Sequence, residues 1–152
     1  MIEVKEINKE DIIYLVRELE DFEKDEAIRY GLKNAINIFR VKGKSNLNER
    51  LLRHGKQTNH LMNSFTTRVK RNKLGALAGF DRPGGNHAHL VDMGTLKRYT
   101  KGRGGKPKGV YTGVMPANYF WKDAQKTEEP KAMRAVYEGV QKAVERINER
   151  RN

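Results

Sequence analysis

The segment between Thr95 and Gly113 places the strongest constraint on how this chain can fold. It reads L-K-R-Y-T-K-G-R-G-G-K-P-K-G-V-Y-T and holds six cations and four glycines but no acid. These charges cannot be buried together, and ordering the glycines costs conformational entropy. Compact, semi-apolar stretches flank the segment at 87–95 and 116–124. The pattern predicts a basic, glycine-rich loop inserted at about 96–113 into a folded domain, either disordered or ordered by a polyanion or a neighbouring chain.

Charge is distributed unevenly along the 152 residues, whose formal net charge is +12. Residues 1–26 carry a balance of −6, residues 27–126 carry +17, and residues 127–152 carry +1. A basic centre beside an acidic end fits two kinds of partner. One is a nucleic acid, through neutralised phosphates. The other is a copy of the chain itself, joined acidic face to basic face.

The composition narrows the class of protein. A length of 152 residues predicts one domain over 1–152, and a hydrophobic share of only 37% suggests that identical neighbours supply part of the stabilising surface. The absence of cysteine excludes disulfides and thiolate metal sites. No apolar run approaches about 18 residues, so no membrane-spanning helix is predicted. The N-terminus lacks the layout of a secretory signal, and we expect the protein to be cytosolic when made.

Hydrophobic periodicity predicts an α+β fold, with a small antiparallel sheet packed by several helices and a long C-terminal amphipathic helix. In the first third of the chain we expect a strand at 2–7, a helix through 12–22, a helix at 24–41 followed by a break at 42–46, and a helical turn or two at 48–54. Strands at 64–71 and 74–80 are then expected, joined by a turn at 71–73, and a short helix at 88–93 that ends at Gly94. A helix start is expected at 118–126, followed by a last helix capped by Thr127.

Patterns typical of catalysis or metal binding are weak. His87 and His89 lie two residues apart, with Asp92 following, and residues at that spacing do not share a helix face. The glycine-rich segment lacks the Ser or Thr that follows the lysine of a P-loop. The sequence therefore predicts no enzyme, no metal site and no cofactor.

The basic loop and its tyrosines form the candidate contact surface. Interleaved aromatic and cationic side chains can stack on unpaired bases, so Tyr99 and Tyr111 fit either a nucleic acid or a protein partner. Phe120 and Trp121 are expected to be core anchors. The candidate contact residues are Lys97, Arg98, Tyr99, Lys101, Arg103, Lys106, Lys108 and Tyr111.

Three segments, in this order, resemble the signatures of one known family. The segment T-N-H-L-M-N-S-F (Thr58–Phe65) resembles T-G-N-L-x-x-S-hydrophobic. The segment H-A-H-L-V-D-M-G-T (His87–Thr95) resembles Y-A-x-x-x-E-F-G-T, and P-A-N-Y-F-W-K-D-A (Pro116–Ala124) resembles P-A-x-P-F-hydrophobic-x-x-A. The family is the minor tail or tail-completion component of long-tailed bacteriophages and prophages, found at the head–tail junction.

The resemblance implies a structural virion protein that is assembled in the host cytoplasm. It implies a six- or twelve-fold ring of identical subunits around the DNA channel, in contact with adjacent junction and tail proteins, with genomic DNA nearby and no membrane. Fold-defining roles would belong to Thr58, Leu61, Ser64, Asp92, Gly94, Thr95, Pro116, Phe120 and Trp121.

Within that family pattern, Asp92 and the Gly94–Thr95 pair are expected to end a helix and cap the turn into the loop. Phe120 and Trp121 are expected to anchor the returning chain onto the sheet. The alternative interpretation is a basic RNA- or DNA-binding module that uses residues 97–111 as its binding surface.

Overall fold

The computed structural model describes residues 9–17, 19–50, 61–70, 74–102 and 108–151. The predicted α+β class is confirmed. In chain order the elements are α1 (Lys9–Val16), α2 (Asp21–Glu49), β1 (Phe65–Val69), β2 (Ala76–Phe80), α3 (Ala88–Met93), β3 (Arg98–Lys101), β4 (Lys108–Gly113) and α4 (Phe120–Arg151). The strand predicted at 2–7 and the turn predicted at 71–73 lie outside the described residues, as does most of the helical turn predicted at 48–54.

The long helices α2 and α4 form the centre of the molecule, because they share the most extensive contact between any two described elements. Their backbones meet at Gly31 and Gly139. A Cβ atom on Gly139 would lie 2.7 Å from the Cα of Gly31, and one on Gly31 would lie 2.5 Å from the carbonyl oxygen of Val136. These distances are too short for any side chain, so the helix crossing depends on glycine at both positions.

A core of mainly small and branched aliphatic side chains fills one end of the helix pair. α1 and the turn that follows it cover this end by burying Val16 and Leu19. Both long helices contribute alanines to this core, because side chains this small fit between backbones that lie as close as they do at Gly31 and Gly139. The buried members are Val16, Leu19, Ala27, Ala35, Ala132, Val136, Val140, Ala143 and Ile147.

A second, aromatic core lies at the other end of the helix pair. The strands β1 and β2 pair antiparallel, with Phe65 opposite Phe80, and pack against α2. Phe120 is fully buried between them, and Trp121 contacts Phe80 with ring centroids 5.2 Å apart in edge-to-face geometry. Such pairs contribute beyond the area that they bury. The first turn of α4 is thereby fixed to the β1–β2 sheet.

Three predicted helix boundaries are wrong. The helix expected through 12–22 is interrupted, because α1 ends at Val16 and α2 begins at Asp21. The expected break at 42–46 lies inside α2, where Gly43 is buried beneath Trp121 and a Cβ atom would lie 2.6 Å from that ring. Asn46 donates a hydrogen bond of 3.0 Å to the carbonyl oxygen of Phe120. Thr127 caps no helix: its hydroxyl donates to the carbonyl oxygen of Asp123 within α4, which continues through Pro130.

Candidate functional site

The basic segment predicted as a loop is a β-hairpin over the residues that the structure describes. β3 and β4 pair antiparallel, and Tyr99 lies opposite Tyr111 while Lys101 lies opposite Lys108. We name residues 96–114 the arm. The tip at 103–107, which includes the predicted contact residues Arg103 and Lys106, lies outside the described residues.

The described strands of the arm have no buried face. Apart from Thr100 and Gly113, every described residue of its two strands is exposed, although alternate residues of a strand point to opposite sides. The strands contact each other, and their contact with the other described elements is marginal at most. An isolated two-stranded hairpin is only marginally stable in water. The arm therefore lacks the packing that stabilises β1 and β2.

Positive charge on the arm is not compensated within the described part of the molecule. Lys97, Arg98, Lys101 and Lys108 are all exposed, and none of the ion pairs between described residues involves them. Lys101 and Lys108 lie directly opposite each other. Like charges at such cross-strand positions destabilise a hairpin. An anionic partner would remove this repulsion.

Apolar and aromatic side chains accompany these charges. Leu96 is 90% exposed, and the rings of Tyr99 and Tyr111 pack against each other with centroids 5.7 Å apart. Each tyrosine still exposes more than half of its surface. Val110 and Val114 extend the apolar surface along β4. The sequence pattern indicates the tyrosines but not these three aliphatic residues, because single apolar residues in a basic segment carry no periodic signal.

The base of the arm is closed by a pair of hydrogen bonds. The amide of Thr95 donates to the carbonyl oxygen of Met115, and the amide of Met115 donates to the Thr95 hydroxyl, both at 2.9 Å. Gly94 ends α3 with φ of 75°, and a Cβ atom there would lie 2.8 Å from the amide nitrogen of Ala117. Only glycine fits this combination of backbone angle and close approach.

Asp92 connects the base of the arm to α4. Its carboxylate oxygen Oδ1 accepts hydrogen bonds from the amides of Trp121 at 2.7 Å and Lys122 at 3.3 Å. These are first-turn amides that have no partner within the helix, and a carboxylate there also meets the positive end of the helix dipole. The structure thus places the Asp92 side chain on α4, whereas we expected it to cap the turn into the loop.

The three segments that resemble the family signatures meet in the buried cluster beneath the start of α4, to which Leu61, Ala88 and Phe120 each contribute. Leu61 and Phe120 belong to the same buried cluster, and the Ser64 hydroxyl donates to the carbonyl oxygen of Leu61 at 2.8 Å. Pro116 is exposed in the strand-to-helix connection. Thr58 lies outside the described residues.

A polar network that the sequence analysis missed holds the end of α2 against the start of α4. Arg50 donates from Nη1 to the carbonyl oxygen of Asn118 at 2.9 Å and to Asp123 Oδ2 at 2.7 Å. The Asn118 amide nitrogen Nδ2 donates back to the carbonyl oxygen of Arg50 at 3.2 Å. These residues are about 70 positions apart along the chain, so no local pattern could have paired them.

Elsewhere in the described ranges, no group of three or more His, Cys, Asp or Glu side chains could hold a metal ion. A groove of about 470 Å³ runs along the outer side of α2. The Ser45 hydroxyl in that groove donates to Glu49 Oε1 at 2.7 Å and has no histidine beside it in the lining. No helix among the described residues is long and apolar enough to cross a membrane.

Comparisons with protein-family models, with curated proteins and with solved structures gave no match to this chain.

Proposed function

We propose that this chain is a structural subunit of a bacteriophage head–tail junction, in the tail-completion or neck layer, and that it acts without catalysis. The arm is the observation that carries the proposal. It is a hairpin exposed on both faces, with uncompensated cations and exposed aromatic side chains. A surface of this kind fits a subunit whose stable state is an assembly.

The convergence of the three resemblance segments also supports this proposal. The second and third segments form the base of the arm and join it to α4 through Thr95 and Asp92, while Leu61 of the first segment belongs to the same buried cluster as Phe120. In the proposed role these segments would hold the arm in a defined direction from each subunit. The partners would be identical copies in a six- or twelve-fold ring, adjacent junction and tail proteins, and genomic DNA in the channel. The location would be the virion, after assembly in the host cytoplasm.

The mass of the full-length protein in solution tests this proposal. Light scattering combined with negative-stain imaging should find closed rings with a central channel. A protein that remains a compact monomer up to high concentration would contradict it.

A second candidate is a basic RNA- or DNA-binding module, which the six cations and two tyrosines of the arm favour. Phosphate contacts from up to six cations would give a slope of log affinity against log salt of up to about −5 on duplex DNA. Titration of DNA and RNA at several salt concentrations measures that slope. Nanomolar affinity at physiological salt, from a protein that stays monomeric, would favour this candidate over the ring subunit.

A further inference from the structure

A second exposed surface lies at the opposite end of the molecule from the arm. We name residues 9–26 the acidic elbow; it comprises α1, the turn after it and the start of α2. Its described side chains include six acids and two cations. The Asp21 side chain is fully exposed and pairs with Lys24, and Asp25 pairs with Arg29. Tyr14 and Phe22 are 75% and 74% exposed. The elbow therefore combines negative charge with exposed aromatic rings, while the arm combines positive charge with exposed aromatic rings.

Capping and burial hold the described residues on both sides of the bend in the elbow. Glu20 and Glu23 form a capping box at the start of α2, in which the Glu20 amide donates to Glu23 Oε2 at 3.1 Å. Val16 and Leu19 hold α1 and the turn in the core, at 6% and 5% exposure. Tyr14 and Phe22 consequently stand on a fixed backbone, which lowers the entropy cost of docking a partner against them.

The described strands of the arm make no extensive contact with the elbow of the same molecule. The arm base is attached to Trp121 at the start of α4, whereas Glu26 of the elbow lines a cavity with Ala143 and Ile147. At 1.5 Å per residue these positions are separated by about 36 Å along α4. That is several Debye lengths at physiological salt. No ion pair between described residues joins the two surfaces. A contact between two copies would bring their opposite charges together.

We propose that the arm of one molecule docks onto the acidic elbow of a second copy of this chain. The cations of the arm then face the acids of the elbow, and the exposed rings and aliphatic side chains of both surfaces are removed from water together. Contact with the acids also relieves the repulsion between Lys101 and Lys108. The inference rests on the proposed function and deepens it by assigning the two surfaces that would join neighbouring subunits.

A contact between two unlike surfaces repeats from copy to copy. Such a head-to-tail interface closes into a ring if the rotation between copies divides a full turn, and otherwise grows as a filament. Each molecule keeps a free arm or a free elbow until closure. Assembly through this contact should therefore be sensitive to salt and should depend on both surfaces equally.

Charge reversal tests the contact directly. The arm variant carries Lys101→Glu and Lys108→Glu, which keeps a like-charged cross-strand pair. The elbow variant carries Asp21→Lys at an exposed position and Asp25→Lys at a half-buried position one turn further along α2. The matched control carries Lys126→Glu and Arg134→Glu, which are exposed on α4 outside both surfaces and change the net charge as the arm variant does.

Self-association is measured by sedimentation velocity at several salt concentrations. We expect each reversal to weaken association by at least about tenfold at low salt, as a lost set of charge pairs would, and the control to leave it within about threefold. An equimolar mixture of the arm and elbow variants should restore association, because each reversed surface then meets a complementary one. Restoration also shows that both variants are folded.

Association that is unaffected by either reversal, or that the mixture fails to restore, would overturn the inference, and so would a monomeric wild-type protein. If both charge-reversal variants still form the same rings as the wild-type protein, the docking inference is wrong while the junction function stands. If the mixture restores association but imaging finds only open filaments, the docking inference stands and the ring function fails. A monomer whose arm reversal removes DNA binding would support the nucleic-acid candidate instead.

Discussion

Replacing Gly139 by alanine tests the close crossing of α2 and α4. Helix propensity alone favours alanine over glycine by about 1 kcal/mol. The new Cβ atom, however, would lie 2.7 Å from the Cα of Gly31, whereas carbon atoms in contact prefer about 3.5–4.0 Å. The obstacle is backbone, so no side chain can rotate away. The two helices would have to separate by about 1 Å.

Separation of the helices loosens the aliphatic core that both of them line. Overpacking of this kind costs about 1–3 kcal/mol, and lost contacts around Val136 and Val140 add to it. We therefore expect Gly139→Ala to lower the free energy of unfolding by about 2 kcal/mol after the propensity gain is included. The midpoint of thermal unfolding should fall by about 4–8 °C.

Thermal and urea unfolding, at a salt concentration where the protein is monomeric, measure this change. Glu138→Ala is the matched control, because Glu138 is exposed on the same turn of α4 and its loss should stay within about 0.5 kcal/mol. Gly31→Ala should also destabilise, and the double variant should cost less than the sum because the helices separate only once. A Gly139→Ala protein as stable as the wild type would refute the reasoning.

Three further substitutions test which residues contribute to the stability of the monomer, and chemical unfolding measures the free energy of unfolding in each case. Asp92→Ala should cost about 1–2 kcal/mol by removing the acceptor at the start of α4, and Asp92→Asn should recover part of it; equal stability of the alanine variant would exclude the capping role. Phe120→Ala should cost about 3–5 kcal/mol, since the ring is fully buried, and a loss below 1 kcal/mol would contradict that burial. Tyr99→Ser combined with Tyr111→Ser should leave the monomer within about 0.5 kcal/mol of wild type, whereas a large loss would place the arm in the core.

The helix boundaries show where local pattern stops being informative. The segment at 42–46 has the composition of a break, yet α2 continues through it because Gly43 makes room for Trp121 and Asn46 bonds to Phe120. Trp121 and Phe120 are more than 70 residues away in sequence. A glycine that weakens an isolated helix is required here by a neighbour that only folding supplies.

The candidate site likewise combines features that local sequence predicts with features that depend on long-range contacts. Composition was enough to locate a basic, glycine-rich segment with two tyrosines, and to place it at the surface. It predicted a loop, because the segment has no apolar alternation, and missed the strand pairing that puts Tyr99 opposite Tyr111. The sequence pattern also did not predict the role of Asp92, because its hydrogen-bond donors Trp121 and Lys122 follow about 30 residues later, after the arm.

The amino-acid sequence is enough to predict the α+β class, the acidic and basic division of the chain and the exposure of the described residues in the basic segment. These properties follow from local spacing and from the cost of burying charge. Tertiary contacts explain why α2 and α4 run unbroken, why Gly31 and Gly139 set the distance between them, and how Asp92 fastens the arm to α4. They also place the arm and the acidic elbow at opposite ends of α4. The reason is that each of these depends on contacts between residues far apart in sequence, whose free energy exceeds the local preferences that a sequence pattern records.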